Sequence, residues 1–254
     1  GMQPKKQDTE LDRILDNIIK RILMVPLTTP REALYVETGI LDIKHATMRN
    51  RINMEKRINE QPNSLTYKTK EDGANKGWQA KTNIMKAQIN ISEEEMQGSR
   101  NQVQKIVGNK ILITFKNNLN KEGENKSKIQ HLLQNKMEPW EPGTTTEYMQ
   151  KLTRNQTSTI FKARTRMIKV KNNFRKMAET TTCRMCKKVC ETQQHILEEC
   201  PEIHTSESTK TYVEEIFSQD LQTLKEASTK INNTMEKMEK NQQDISSKNP
   251  QHTQ

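Results

Sequence analysis

Aromatic residues make up only 4% of this 254-residue chain, and glycine and proline number eight each. Hydrophobic residues of all kinds reach 31%. Strands favour aromatic and β-branched side chains, so the scarcity disfavours a large sheet core. A mean hydropathy of −0.99, with Asn and Gln together supplying 42 residues, points to helices with small cores joined by polar linkers. No apolar run approaches the ~18 residues of a membrane span, so no membrane partner is expected. Residues 1–20 set Lys5, Lys6, Asp8, Glu10, Asp12, Arg13 and Asp16 among the apolar positions, which leaves no continuous core for a secretory signal. Gly1-Met2 reads as a cloning scar or a fragment boundary.

Cysteine is scarce too, but all four lie within eighteen residues: Cys183-Arg-Met-Cys186, Cys190, and His195-Ile-Leu-Glu-Glu-Cys200. Clustered Cys and His without an export signal favour a metal over disulfides. Cys-x₂-Cys followed by His-x₄-Cys is ligand spacing for a small zinc site, in which a tight turn aims two sulfurs at one Zn²⁺. His195 is expected on a short helix from Thr192 to Glu199, ending at Cys200 because a residue before proline is disfavoured in helical geometry. Six groups compete for four places. Cys183, Cys186, His195 and Cys200 are the preferred set, with Cys190 and His204 as alternates. Three thiolates and Zn²⁺ sum to −1, which Arg184, Lys187 and Lys188 would offset. Four protein ligands leave no open position, so the metal would be structural.

The net charge of +10 is concentrated beside that cluster. Residues 146–190 hold twelve bases against Glu147 and Glu179, and elsewhere the charges cancel. Ile160, Ala163, Met167, Val170, Phe174 and Met177 step by three and four, which predicts one amphipathic helix over 158–177. Phe161 and Phe174 belong to its core side. Between them stand Lys162, Arg164, Arg166, Lys169, Lys171, Arg175 and Lys176 with no acid intervening, a pattern suited to a phosphate backbone. These seven with Arg184, Lys187 and Lys188 are the candidate contacts to RNA or DNA.

Upstream, Leu11, Ile14, Leu15, Ile18 and Ile22, flanked by Ile19 and Leu23, predict an amphipathic helix over 9–24 with Asp8 as N-cap. Further helices are expected from Pro30 to Gly39, over 42–59, over 78–90, and from a Ser92/Glu95 capping box to about Asn120 with an interruption near Gly108. A short one is expected over 129–137. Residues 60–76 and 121–128 read as loops, and Pro139 to Gly143 as a boundary. A seam of Leu221, Leu224, Ile231, Met235 and Met238 marks a helix over 219–239, and 241–254 reads as a disordered tail. The expected fold is mainly α: helical subdomains with a small Cys₃His zinc knuckle and that tail.

Several stretches resemble the C-terminal region of non-LTR retrotransposon reverse transcriptases, downstream of the polymerase palm. They are Thr157-Ser-Thr-Ile-Phe-Lys-Ala-Arg-Thr-Arg-Met167, Val170-Lys-Asn-Asn-Phe174, Cys183-x₂-Cys186, Glu191-Thr-Gln-Gln-His195-Ile-Leu and Cys200-Pro201. Pro30-Arg-Glu-Ala-Leu-Tyr-Val-Glu-Thr-Gly39-Ile-Leu-Asp-Ile resembles the segment leading into the thumb, and Gly77-Trp78 and Lys126-Ser-Lys128 are weaker landmarks. The resemblance covers about 30–204 and implies a thumb-like region over 30–60 and a nucleic-acid-binding CCHC zinc knuckle over 183–200. It also implies a nuclear protein or a cytoplasmic ribonucleoprotein. Together with the helix and loop pattern, the expected organisation is a thumb-like helical region (1–60), a helical linker region (61–145), the basic helix (146–180), the zinc knuckle (181–204), a C-terminal helix (205–240) and the tail (241–254). The chain carries no Tyr/Phe-x-Asp-Asp palm motif, so the carboxylates of a two-metal polymerase site are missing. Acid clusters such as Glu71-Asp72 and Glu93-Glu94-Glu95 sit in polar loop or cap settings, and no catalytic residue is assigned. The expectation is a non-enzymatic nucleic-acid-binding unit. The alternative is a helical protein-interaction scaffold with a structural zinc clip, pairing with a partner protein through residues 213–238.

Overall fold

Helix starts in this chain are set by short polar side chains. Asp42 accepts from the His45 amide at 2.7 Å, and capping boxes pair Ser92 with Glu95, Thr153 with Gln156 and Thr211 with Glu214. The computed structural model describes the backbone of residues 6–72, 77–123, 126–135, 145–174, 180–204 and 211–248; side chains are described for 10–69, 77–123, 126–135, 145–173, 180–204 and 211–243. In order, the elements are α1 (Lys6–Ile22), α2 (Arg31–Thr38), α3 (Ile43–Asn59), α4 (Leu65–Asp72), α5 (Trp78–Gln88), α6 (Glu93–Gln97), α7 (Arg100–Gly123), α8 (Ser127–Asn135), α9 (Glu147–Lys151), α10 (Arg154–Arg164), a 3₁₀ turn (Lys171–Phe174), a π turn (His195–Glu199), α11 (Tyr212–Ile216) and α12 (Leu221–Lys248). Among the described residues there is no strand; one antiparallel bridge joins Thr182 and Cys190. The mainly α fold is as the composition indicates, and no described helix is long and apolar enough to cross a membrane.

Helix ends depart from the sequence reading because glycine seldom marks them. Gly39 closes α2 in a left-handed conformation, but Met24, Asn90 and Arg166 take the same conformation at φ 50–52°. Each closes a paired C-terminal motif. After α10 the Met167 amide bonds the Lys162 carbonyl at 2.7 Å and the Arg166 amide bonds Ala163 at 3.2 Å, the Schellman pattern with arginine where glycine is usual. The predicted helix over 158–177 is therefore not one helix: α10 stops at Arg164, and among the described residues a 3₁₀ turn follows at Lys171. The interruption expected at Gly108 falls instead at Gly98, and α7 runs through Gly108, whose missing Cβ faces open space. Residues 65–72, expected as loop, form α4. The helix α1 is described from Lys6, which puts Asp8 inside it rather than at its cap. The helix α12 continues to Lys248, well into the span read as a disordered tail, because its polar C-terminal turns extend a helix already packed at Leu224, Ala227 and Ile231. The boundary at Pro139 to Gly143 and residues 249–254 lie outside the described residues.

One apolar core runs from Ile19 to Met238 rather than several separate ones. On one side α7 packs along α3, with α1, α2 and α5 around them; on the other, α12 packs along α10 and α11. The α12 seam is buried in this arrangement, Leu224, Ile231 and Met238 being at most 4% exposed. Those three seam residues are thus occupied inside the chain. The helix α1 turns an unexpected face inward. Asp12, Asp16, Ile19, Lys20 and Leu23 are buried, because Tyr35 donates to Asp16 at 2.7 Å, the Ile43 amide to Asp12 at 2.9 Å and Lys20 to the Leu27 carbonyl at 2.8 Å.

The two sides meet at a buried ion pair. Glu37 on α2 is 0% exposed, and the Arg164 guanidinium on α10 lies 3.4 Å from it. Arg164 also donates to the Ile216 carbonyl at 2.6 Å and lies over the rings of Tyr148 (4.4 Å) and Phe217 (5.1 Å). Thr146 donates to the Glu37 carbonyl at 2.6 Å. Arg154, at the start of α10, donates to the last carbonyls of α1, Arg21 and Ile22, at 2.9 Å each. Removing one member of a buried pair leaves the other uncompensated, so Arg164→Ala should cost about 3–5 kcal/mol. Glu37→Gln with Arg164→Met should cost less than the sum of its parts, a difference that urea unfolding measures directly.

His131 on α8 packs edge-on to Phe217 at 5.7 Å. Burial, with Arg166 adding, holds its imidazole down at about 4. A histidine lowered in the folded state contributes stability that is complete above its ordinary 6.5 and is lost as pH falls toward 4. His131→Phe should therefore flatten the fall in urea midpoint between about pH 7 and 4.5, while other acid-sensitive groups act equally on both proteins.

Candidate metal centre

The knuckle is built by two turns facing each other. Residues 182–190 fold back so that the Cys183 amide donates to Val189 at 2.7 Å and the Lys187 amide to Cys183 at 3.1 Å, with Lys187 at φ 59° making the reversal. This places Cys183 and Cys186 on the inside. Opposite them lies the π turn. At 3.6 residues per turn, positions five apart would lie about 140° around the helix from each other. The wider turn closes an i→i+5 bond instead, from the Cys200 amide to the His195 carbonyl at 2.7 Å, and His195 and Cys200 come to the same side. Such turns are rare and recur at functional sites. Cys200 is extended ahead of Pro201, as expected.

The preferred four are the four that converge. One donor atom from each of Cys183, Cys186, His195 and Cys200 lies within 4.8 Å of all the others, and all four residues are buried. The Sγ atoms of Cys183 and Cys200 are 3.9 Å apart, and His195 Nε2 is 3.4 Å from Cys186 Sγ. The outer ring nitrogen of His195 faces Glu199 at 3.9 Å, the kind of carboxylate that orients a ligating imidazole. The alternates are engaged elsewhere: His204 Nε2 meets the Ile196 carbonyl at 2.9 Å, and Cys190 points to Asn172 at 3.7 Å. Backbone amides of Lys188 and Val189, with His195, hold the Cys186 thiol down at about 6, whereas burial pushes Cys200 up to about 11. Binding a cation would therefore displace a proton from Cys200, and affinity should rise with pH. The cluster could hold a metal ion with four protein donors.

Glu191 anchors the knuckle to the rest of the chain, and the sequence reading passed it over. It is 0% exposed. It accepts a fork from Arg184 (2.6 and 2.9 Å) and two amides, those of Arg184 and Lys171, at 2.9 Å each. Although burial acts to raise its pKa, Arg184 and the amides hold it below the usual carboxylate range. A signal was available: it is the only acid between residues 180 and 197. Lys171 donates to the Thr182 carbonyl at 3.0 Å, and Gln193 to the Ala163 carbonyl at 2.8 Å.

The ten cations expected to meet nucleic acid separate into groups. Arg164 is buried in its pair with Glu37, and Arg184 is committed to Glu191 with 12% of its side chain exposed. Both face inward because each neutralises a buried carboxylate. Lys162 is half-buried, and burial lowers its pKa. Lys171 is part-buried. Arg166, Lys169, Lys187 and Lys188 are exposed. Lys169 reaches Glu239 at 3.7 Å, with both ends in solvent, where such a pair contributes little. Arg175 and Lys176 lie outside the described residues. Phe161 is fully buried, as expected.

Cys186→Ser and His195→Ala should each abolish stoichiometric metal in the purified chain, and Cys190→Ser and His204→Gln should leave it intact; metal analysis by mass spectrometry distinguishes the two ligand sets. Glu191→Gln should leave the ligands in place yet expose the knuckle to protease, since the buried Arg184 loses its partner at a cost of roughly 3 kcal/mol.

No protein-family model, curated protein or solved structure matches this chain.

Proposed function

We propose that this chain is a nucleic-acid-binding unit held together by a structural Zn²⁺, without a polymerase site of its own. The observation that carries the reading is the placement of charge. The chain's whole excess of +10 falls in residues 146–190, and once Arg164 and Arg184 are spent on buried acids, Arg166, Lys169, Lys187 and Lys188 remain exposed between the end of α10 and the tip of the knuckle. A phosphate backbone is the partner such a surface fits.

Zinc is the ion that suits the donors. At Zn–S of ~2.3 Å and Zn–N of ~2.0 Å, a tetrahedral site has S···S edges of about 3.8 Å and S···N edges of about 3.5 Å. The 3.9 and 3.4 Å separations lie close to both. With four protein donors the ion has no place for water or substrate, so its contribution is folding energy for a segment with little core. The resemblance to the C-terminal region of non-LTR retrotransposon reverse transcriptases supports the same reading, with the knuckle and the helix before it as the nucleic-acid grip.

Binding to single-stranded and duplex oligonucleotides should weaken steeply with salt. Four or five phosphate contacts correspond to a slope of log K against log[salt] of roughly −3 to −4.5. Lys187→Glu with Lys188→Glu should cut affinity at least tenfold and flatten that slope while metal content stays at one per chain. Binding that ignores salt would remove the proposal.

A further inference from the structure

The face of α1 that the core does not use is an open apolar surface. Leu11, Ile14, Ile18 and Ile22 are 49–58% exposed. At 3.6 residues per turn they occupy about 80° of arc and form one ridge about 16 Å long. Met24 and Leu27, just past the helix end, are also exposed. A contiguous aliphatic ridge marks an interaction surface, whereas scattered exposed apolar residues need no explanation. The buried face of α1 is fixed by the bonds to Asp12, Asp16 and Lys20, so the helix cannot turn over to hide the ridge.

We infer that this ridge is a self-association surface on which α1 of a second copy packs antiparallel. Charge beside the ridge selects that occupant. Glu10 and Arg21 are exposed and stand on the same flank, within about 20° of each other around the helix. Neither makes an ion pair among the described residues. In an antiparallel pair with its two-fold axis near Asp16, Leu11 meets Ile22 of the second copy and Ile14 meets its Ile18. The same register sets Glu10 against Arg21 of the second copy, twice by symmetry. A parallel pair would set that flank against the opposite one, where no acid stands level with Arg21. Four half-exposed aliphatic residues per copy form an interface below the ~1,000 Å² typical of stable complexes, so the association is weak and concentration-dependent.

The test is sedimentation equilibrium of the full chain from about 5 to 500 µM, where mass action should shift the population. The mass should rise from 29.6 kDa toward twice that value. Ile14→Glu with Ile18→Glu, both at solvent-exposed positions, should hold the chain monomeric with unchanged circular dichroism. Glu10→Arg should weaken dimerisation at least tenfold, and Glu10→Arg with Arg21→Glu should restore it. A wild-type chain that stays monomeric throughout would overturn the inference and leave the ridge to a different protein. A dimer that survives the double glutamate variant, or a charge swap that fails to restore pairing, would overturn it equally.

Discussion

The contact between Glu37 and Arg164 determines how everything else is arranged. It joins a helix of the N-terminal side to one of the C-terminal side, and both ions have left water to make it. Such a pair is costly to bury, and its stability depends on the groups around it. Here the Ile216 carbonyl and two aromatic rings surround the Arg164 end, and Thr146 reaches Glu37 Oε2 at 3.4 Å, while Glu37 Oε1 has no hydrogen-bond partner among the described residues. The helix α10 is thereby held in one orientation. Its C-terminal stop at Arg166 then aims the chain toward the 3₁₀ turn, and Gln193 returns from the knuckle to the same helix. The metal cluster is positioned through this sequence of contacts and not by its own small core.

The convergence of Cys183, Cys186, His195 and Cys200 was legible in their spacing, because donor type and separation constrain a candidate metal site more tightly than a helix. The mainly α fold was legible in composition, and the starts of α2 and α6 in Pro30 and the Ser92/Glu95 box, whereas the caps at Asp42, Thr153 and Thr211 were passed over. Helix ends were harder to read. A chain with eight glycines ends three of its helices on Met24, Asn90 and Arg166, and no local pattern announces a left-handed methionine or arginine. The helix α10 shows the cost of that: its apolar spacing continues to Met177, but the backbone does not. The orientation of α1 was also hidden, since periodicity identifies an apolar face without saying whether the core or the solvent receives it. Buried carboxylates at Asp12 and Asp16 decided the matter, with partners far away in sequence.

The same principle reshapes the reading of the basic segment. A run of cations without intervening acids looks like a single electrostatic surface when counted along the chain. In three dimensions Arg164 and Arg184 are neutralised by Glu37 and Glu191, each from outside the run or from its far edge. Arginine suits that role through its planar fork, and the lysines around it are left more exposed. The segment thus divides by side-chain chemistry, with arginines holding the architecture at two points and lysines forming most of the outward charge.

The π turn at His195–Glu199 acts as a ruler. In an α-helix, residues four apart share a face, so a His-x₃-Cys spacing would meet a metal with ordinary backbone. One additional residue is present here, and the chain absorbs it by widening the turn rather than by looping out. Loss of any single residue between His195 and Cys200 would return the segment to α geometry with both donors still on one face, four rises or about 6 Å apart along the axis. A one-residue change in length is therefore absorbed by the winding of the turn, while the set of donors stays the same.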